Sequence, residues 1–381
     1  MKLTELQSQF IAMISEQKAY YNQLNPIWRT AIECLRYVLY LPEWELPRLR
    51  MHSGLFTGQQ PYQYWHATGD LAAAGRSIAR NTGYEYLVSG LPDEYRLYEP
   101  ENPAIPGRMG LPYKGSSINF DVAHFQNVVT NLFLTGELQR LWSRAAEKRV
   151  ILVEIGSGYG GLAFHIHRIL QRRTTCVLVD LPEILLFAAA YFAAHSPKVR
   201  ITLAANDSQM KAALKEEYDV ILVPSFHADA LHGIDAIDFA INMDSFQEMN
   251  RRDVEHYCSL IFPRLNGIFY VDNIDRHYSL NTDAIESLST ILSRYAAIYP
   301  NPVTYETFMR GRGWSWFYSI YLLGKPDFIA QCTKQLKGIA GDSRRGQPFE
   351  VKNEHIKFAN PFWQISLCLR GAKQLFSRLK A

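Results

Sequence analysis

Apolar residues recur at helical spacing near the start of the chain, at Leu6, Phe10, Met13 and Ile14, and predict an amphipathic helix there. Five prolines, Pro92, Pro100, Pro103, Pro106 and Pro112, then fall within 21 residues. That density is incompatible with helix interiors and central strands, so the passage reads as an ordered loop or lid. A helix is expected over Ile118 to Leu134, closed by Gly136 as its C-cap. From Arg149 the texture changes to short β-rich runs separated by helical ones, which predicts a parallel sheet covered on both faces. The strand candidates are Val150–Ile155, Cys176–Asp180, Val199–Leu203, Asp219–Val223, Asp238–Met243, Ile268–Asp272, Val303–Phe308 and Trp316–Leu323. Helical runs fall at Glu183–Ala194, Gln209–Glu217, Asp253–Phe262 and Thr282–Ala297. The last two strand candidates flank Arg310-Gly311-Arg312-Gly313 and read as an antiparallel hairpin at the sheet edge.

The pattern therefore divides the chain into a helical cap and proline-rich lid (1–140), an α/β sheet domain (141–330) and a C-terminal tail (331–381). The tail carries ten basic against three acidic residues, +7, and leaves −4 on the remainder. Its Ile365, Leu369, Ala372, Phe376 and Leu379 have helical spacing, with Arg370, Lys373 and Lys380 on another face. A helix packed on the body or on a second subunit is the first expectation, and contact with an anionic membrane surface the second.

At 381 residues with 48% apolar and 20% charged residues, a sizeable core is available and wholesale disorder is excluded. A net charge of +3 demands no polyanionic partner, and the acidic body argues against nucleic acid. The five cysteines lie at least 36 residues apart without CxxC or Cys/His spacing, so neither a disulfide framework nor a structural zinc is implied. The start lacks the apolar stretch of a signal peptide. The longest apolar run, Ile184 to Ala194, falls well short of the roughly 20 residues a spanning helix needs. A cytoplasmic setting without a transmembrane segment is the expectation.

The strongest local signal is Val150-Ile-Leu-Val-Glu154-Ile-Gly156-Ser157-Gly158-Tyr-Gly160-Gly161, followed by a helical run. A buried strand delivers the chain to a tight turn where glycines let backbone N–H groups approach a ligand, and the next helix offers its positive end. Gly156, Gly158 and Gly161 satisfy the dinucleotide pattern GxGxxG. Glu154, Gly156, Gly158 and Gly160 satisfy E-x-G-x-G-x-G. A carboxylate at Glu154 can bind an ammonium, which a dinucleotide lacks. The next strand ends at Asp180, 24 residues after Gly156, where an acceptor of two ribose hydroxyls is expected.

With these residues the chain resembles the class I S-adenosylmethionine (SAM)-dependent methyltransferases, and within them a bacterial family of sugar O-methyltransferases. The resemblance covers residues 110–325. It rests on Glu154-Ile-Gly-Ser-Gly-Tyr-Gly-Gly161, Val179-Asp-Leu-Pro-Glu183, and Asp238-Phe-Ala-Ile-Asn242-Met-Asp-Ser245-Phe-Gln-Glu248-Met249. It implies a Rossmann-like seven-stranded methyltransferase sheet, mostly parallel with an antiparallel last strand, beneath an N-terminal helical cap. It implies SAM bound by Glu154, Gly156, Ser157, Gly158, Gly160, Asp180, Leu181 and Met243. Since eight strand candidates compete for seven places, Ser225 and Phe226 flank adenine if Asp219–Val223 is the third strand. Asn206 and Asp207 do so if Val199–Leu203 is.

Chemistry is expected at the carboxyl ends of the strands. Methyl transfer to a hydroxyl needs alignment, exclusion of water and removal of a proton. Asp244 and Glu248 are the candidate bases, with His277 outside them. Asp244, Asp272 and Asn273 resemble the Mg²⁺ ligands of catechol-type enzymes, although Gln247 stands where that type carries a lysine. The acceptor implied is a hydroxyl of a sugar or glycan, free or nucleotide-linked. Other small molecules such as phenols or polyketides, nicotinamide-dependent oxidoreduction, and a non-catalytic scaffold docking through its tail are the competing readings; oligomerisation is left open.

Overall fold

The computed structural model describes residues 2–53, 70–105, 109–274, 288–295, 297–300 and 318–340. Helices α1 (Leu3–Glu16), α2 (Lys18–Gln23) and α3 (Pro26–Leu35) open the chain, and 3-10 stretches follow at Arg36–Tyr40 and Glu43–His52. Helices α4 (Leu71–Asn81) and α5 (Tyr84–Leu87) lead through the irregular proline-rich passage to a small hairpin, β1 (Leu111–Tyr113) and β2 (Ser116–Ile118). Next comes α6 (Phe120–Leu134), started by the Asn119 side chain, which accepts from Val122 N at 2.8 Å. It ends where Gly136 takes φ +77°, the left-handed turn that only glycine adopts without strain.

After α7 (Glu137–Glu147) the chain alternates: β3 (Val150–Ile155), α8 (Gly161–Ile169), β4 (Thr174–Asp180), α9 (Pro182–His195), β5 (Ile201–Leu203), α10 (Asp207–Lys215), β6 (Val220–Pro224), β7 (Ile237–Met243), α11 (Arg251–Ile261) and β8 (Leu265–Ile274). The described chain ends with α12 (Leu288–Ser293), β9 (Ala297–Pro300), β10 (Tyr318–Gly324) and α13 (Pro326–Ala340).

The large sheet has the order β5-β6-β4-β3-β7-β8-β10-β9. All its pairings are parallel except those of β10, which runs antiparallel to both β8 and β9. This is the expected mixed α/β sheet, with eight strands instead of seven. The additional strand is the three-residue β5 at the edge, so β6 is third in the main series and Ser225 and Phe226 follow it. Asn206 is spent on capping α10, its side chain accepting from Gln209 N. The partner of β10 is a second correction: it is Ala297–Pro300, which begins at the last residue of the stretch predicted as helix and precedes the expected Val303–Phe308. Val303–Phe308, the Arg310–Gly313 turn and the tail beyond 340 lie outside the described residues.

Central strands β3, β4 and β6 are buried along nearly their whole length, as continuous apolar runs in a parallel sheet should be. Helix α9 is buried along most of its length too, on every face. One of its faces packs on the sheet, and α1 and the Glu43–His52 stretch cover others, so Leu6, Phe10, Leu46 and Leu49 join Leu185, Phe187 and Phe192 in one cluster. The longest apolar run of the sequence is therefore a core helix, and no helix among the described residues is long and apolar enough to cross a membrane.

A buried cation locks these layers together. Arg50 is 3% exposed and donates to Glu99 at 2.5 and 3.3 Å. Its guanidinium lies 4.3 Å from the ring centre of Tyr159 in the glycine-rich loop and 4.7 Å from that of Tyr191 on α9. Asn119 adds a hydrogen bond to Glu99 at 2.9 Å. Five separate segments meet around this one ion pair. Arg50→Ala strands Glu99 in the interior and is expected to lower the unfolding free energy by about 3–5 kcal/mol, read as a shift in the urea midpoint at unchanged slope.

Candidate active site

Strand β3 is the switch point of the sheet, since its neighbours β4 and β7 lead the chain away in opposite directions. The crevice beyond the carboxyl ends of these strands is where a ligand can enter such a sheet. The loop from β3 to α8 turns through three left-handed glycines, Gly156 (φ +67°), Gly158 (φ +55°) and Gly160 (φ +71°). At Gly156 a Cβ would also lie 2.2 Å from Ser245 Oγ, so both the backbone and the space demand glycine.

Glu154 sits one turn of strand below this loop and is 4% exposed. Its Oε2 has no hydrogen-bond partner among the described residues, and burial lifts its carboxyl to about 8. Ser157 Oγ is likewise buried and unpartnered. Orphaned polar groups of this kind cost about 1–3 kcal/mol each and call for an explanation, usually a ligand or water. Asp180, at the tip of β4, accepts from Gly158 N at 2.8 Å and from Leu181 N at 2.7 Å. Burial raises it to about 7 even so. Its carboxylate retains further lone pairs for another donor.

The N-terminal helices reach across this crevice. Tyr20 on α2 donates to Ser225 Oγ at 2.9 Å, and its ring meets Phe226 edge-on at 5.5 Å. Tyr21 donates to Glu183 at 2.8 Å, and Arg36 pairs with the other oxygen of that buried carboxylate at 3.2 Å. Trp28 Nε1 on α3 donates to Glu248 Oε2, and Asn25, just before α3, donates to Glu248 O at 3.2 Å. Glu248 is pushed up to about 7 by its burial. Thus Ser225, Phe226, Glu183 and Glu248 are each held by a residue more than 140 positions away. Nothing in the local sequence around Tyr20, Tyr21, Trp28 or Arg36 signals this.

The Asp238-to-Met249 block resolves mostly into wiring. Asp238 is fully buried at the far end of β7, accepting from Ile151 N at 3.0 Å and Arg144 Nε at 3.1 Å. Asn242 donates to Ile155 O at 3.0 Å and to Ser245 Oγ at 2.5 Å, which ties β7 to the base of the glycine loop. Asn273 donates to Asn242 Oδ1 at 2.8 Å and accepts from Gln247 N at 3.2 Å. Met243 is half-buried beside Asp272 in the sheet register.

Asp244 stands at the end of β7 with φ +59°, its N–H donating to Asp272 O at 2.9 Å. His124 on α6 lies between the two acids: Nε2 is 2.9 Å from Asp272 Oδ2 and Nδ1 is 3.4 Å from Asp244 Oδ2. Asn273 Oδ1 accepts from Gln247 N and Asp272 Oδ2 faces His124, so two oxygens of the expected Mg²⁺ set are engaged by protein groups. No group of three or more His, Cys, Asp or Glu side chains that could hold a metal ion occurs among the described residues. His124 escaped the sequence reading, although His124, Asn127 and Asn131 have helical spacing in α6 and could have flagged it.

Other candidates fall elsewhere. His277 lies outside the described residues. His165 packs on Phe125 and Phe164, His167 bonds Thr174, and burial lowers them to about 3 and 4. Tyr113 is turned toward Glu85 and Tyr84.

No family model and no curated protein matches the chain. Solved structures do. An O-methyltransferase family protein from Burkholderia thailandensis is 12% identical with a TM-score of 0.31, over 53% of this chain and 62% of its own. The chain thus spans less than two thirds of that protein. Magnesium protoporphyrin IX methyltransferase from Synechocystis PCC 6803, with SAM bound, is 11% identical with a TM-score of 0.30, over 67% of this chain and 97% of its own. Human N-acetylserotonin methyltransferase, in complex with SAM, is 14% identical with a TM-score of 0.29, over 66% and 70%. Likenesses this slight add no argument, and the strand order alone carries the fold.

The raised Glu154 carboxyl makes a pH-dependent prediction. Between its ordinary value of 4.5 and about 8 the folded chain keeps a proton that the unfolded chain releases. The contribution of this group to stability therefore falls as pH rises through that window and is level outside it. Glu154→Gln removes this contribution, so its unfolding free energy should decline less steeply from pH 5 to 8, by up to roughly 1.4 kcal/mol per pH unit. Urea unfolding across that range measures the two slopes.

Proposed function

We propose that this chain is a SAM-dependent O-methyltransferase acting on a hydroxyl of a sugar or glycan. The observation that carries the reading is the buried carboxylate of Glu154, whose Oε2 has no hydrogen-bond partner among the described residues, beneath a loop of three left-handed glycines. An ammonium group is what such a carboxylate lacks, and the methionyl end of SAM has one. Asp180, with lone pairs left after its two backbone bonds, suits the ribose hydroxyls. Leu181, Ser225 and Phe226, following β4 and β6, suit the adenine, with Ser157, Gly158, Gly160 and Met243 lining the rest.

When bound, SAM supplies a methyl group on a positively charged sulfur. The protein's share is to hold, orient and deprotonate. Glu154 and Asp180 fix the two ends of the cofactor, while Tyr20, Tyr21 and Trp28 close the crevice from the N-terminal side and keep water out. Asp244 is the preferred proton acceptor: it stands just past β7 at the carboxyl edge of the sheet, and its side chain is 39% exposed. Glu248 is engaged by Trp28 and is the lesser candidate. The antiparallel β10 between β8 and β9 speaks against the nicotinamide alternative, where further parallel units are expected. The sugar class follows from the resemblance of the Val179–Glu183 and Asp238–Met249 blocks, and a polar acceptor and cofactor suit a cytoplasmic setting.

Calorimetry should register SAM and S-adenosylhomocysteine binding, weakened about 10- to 100-fold in Glu154→Gln, the worth of a charge-assisted hydrogen bond (~1.5–3 kcal/mol). Labelled SAM with a panel of nucleotide sugars and glycans should give transfer that EDTA does not diminish. Absence of binding heat would overturn the cofactor; transfer confined to non-sugar acceptors would overturn the substrate class.

A further inference from the structure

We infer that the crevice reads the charge on the ligand's sulfur, so that Glu154, Asp180 and Glu248 hold SAM more tightly than S-adenosylhomocysteine, whose sulfur is neutral. The inference rests on the methyltransferase reading and makes Glu248 the residue that separates the cofactor from its product.

Strands β4, β3 and β7 are consecutive in the sheet, and each brings an acid to its carboxyl end. Glu154 is the penultimate residue of β3, level with Leu178 of β4 and Ile241 of β7. Asp180 ends β4. Glu248 closes the short 3-10 turn Phe246–Glu248 just past β7. After burial, which is the larger cause, the charge of Asp180 raises the carboxyls of both Glu154 and Glu248, and Asp244 raises Glu248 as well. Glu248 therefore stands within electrostatic reach of the tip of β4 although it follows β7. The three acids surround the end of β3.

Among the described residues no lysine or arginine pairs with any of them. Arg36 pairs instead with Glu183 at 3.2 Å, and Asp244 faces the His124 ring at 3.4 Å. Glu154 is 4% exposed, and its Oε2 has no hydrogen-bond partner among the described residues, so a donor is still lacking at the floor of the crevice. Trp28 binds Glu248 from α3, and Tyr20 binds Ser225 from α2, which keeps the acids under cover.

The connectivity of SAM then decides where its sulfur lies, because sulfur joins the methionyl chain to the ribose. With the ammonium on Glu154 and the ribose hydroxyls on Asp180, sulfur falls between those acids, with Glu248 on the β7 side. The amino-acid head, ribose and adenine are common to SAM and S-adenosylhomocysteine, so their contacts cancel in a comparison. What differs is one methyl group and one positive charge. Neighbouring strands lie about 4.8 Å apart, so the charge stands within roughly 10 Å of each acid. At that separation, under partial screening, a single ionised carboxylate is worth about tenfold in affinity. On transfer the electron pair of the carbon–sulfur bond stays on sulfur, and the positive charge leaves as the proton of the acceptor hydroxyl. The preference is therefore lost at the moment of reaction, and the product is released more readily than the cofactor.

Calorimetry on the full-length protein at pH 8, without acceptor, tests this. SAM, and sinefungin with its amine in place of the methylated sulfur, should bind about tenfold more tightly than S-adenosylhomocysteine. Burial holds Glu154, Asp180 and Glu248 at about 8, 7 and 7, so the preference should shrink toward pH 6, where all three keep their protons. Glu248→Gln retains an oxygen for Trp28 and removes the charge; it should narrow the gap to about threefold or less, by weakening SAM and leaving S-adenosylhomocysteine nearly unchanged. A preference resting on the shape of the methyl group would survive both changes. S-adenosylhomocysteine bound as tightly as SAM by the unaltered protein, or a gap that neither pH 6 nor Glu248→Gln reduces, would overturn the inference alone. No binding of any of the three ligands would overturn the underlying reading and the inference with it.

Discussion

A carboxylate buried without a counter-charge is the constraint around which this molecule is built. Glu154 lies within a central strand, where its neighbours are apolar and water is excluded. Such a group is unfavourable for folding in either state: ionised, it lacks a cation, and protonated, it still lacks a partner for Oε2. The fold carries this burden at the one point where the sheet's connections diverge and where a glycine loop leaves room above the strand. Binding a cation-bearing ligand relieves the burden, which makes the site's cost to stability and its affinity two sides of one arrangement.

The surroundings hold that site stiffly. Ser245 fills the space that a side chain at Gly156 would need, Asn242 binds both Ser245 and the end of β3, and Asn273 binds Asn242 in turn. These amides join the ends of three adjacent strands into a polar lattice beneath the crevice. On the opposite side the N-terminal helices close it, and the Arg50–Glu99 pair between two tyrosine rings ties those helices to the loop itself. A loop that must approach a ligand closely is therefore braced from below by amides and from above by a buried cation.

Legibility in the sequence follows the range of the interactions. The loop, Asp180 and the strands β3, β4, β6, β7 and β8 could be read directly because each is a local pattern: a continuous apolar run, glycines at fixed offsets, an acid at a strand tip. The partner of β10 was misplaced, since Ala297–Pro300 becomes a strand only by pairing with residues more than 20 positions later. Asn273 looked like a metal ligand because it follows an aspartate at a strand end, and its commitment to Asn242 and Gln247 is a tertiary fact.

By itself the sequence determined that a parallel α/β sheet would form, where its ligand loop lies, and which acids flank that loop, because backbone conformation and strand burial depend on neighbouring residues. Tertiary structure decided which of two strands is third, that Tyr20, Tyr21, Trp28 and Arg36 cover the crevice, and that His124 stands between Asp244 and Asp272. Those contacts join residues 120 to 220 positions apart, and side chains at such separations meet only once the helices have packed onto the sheet.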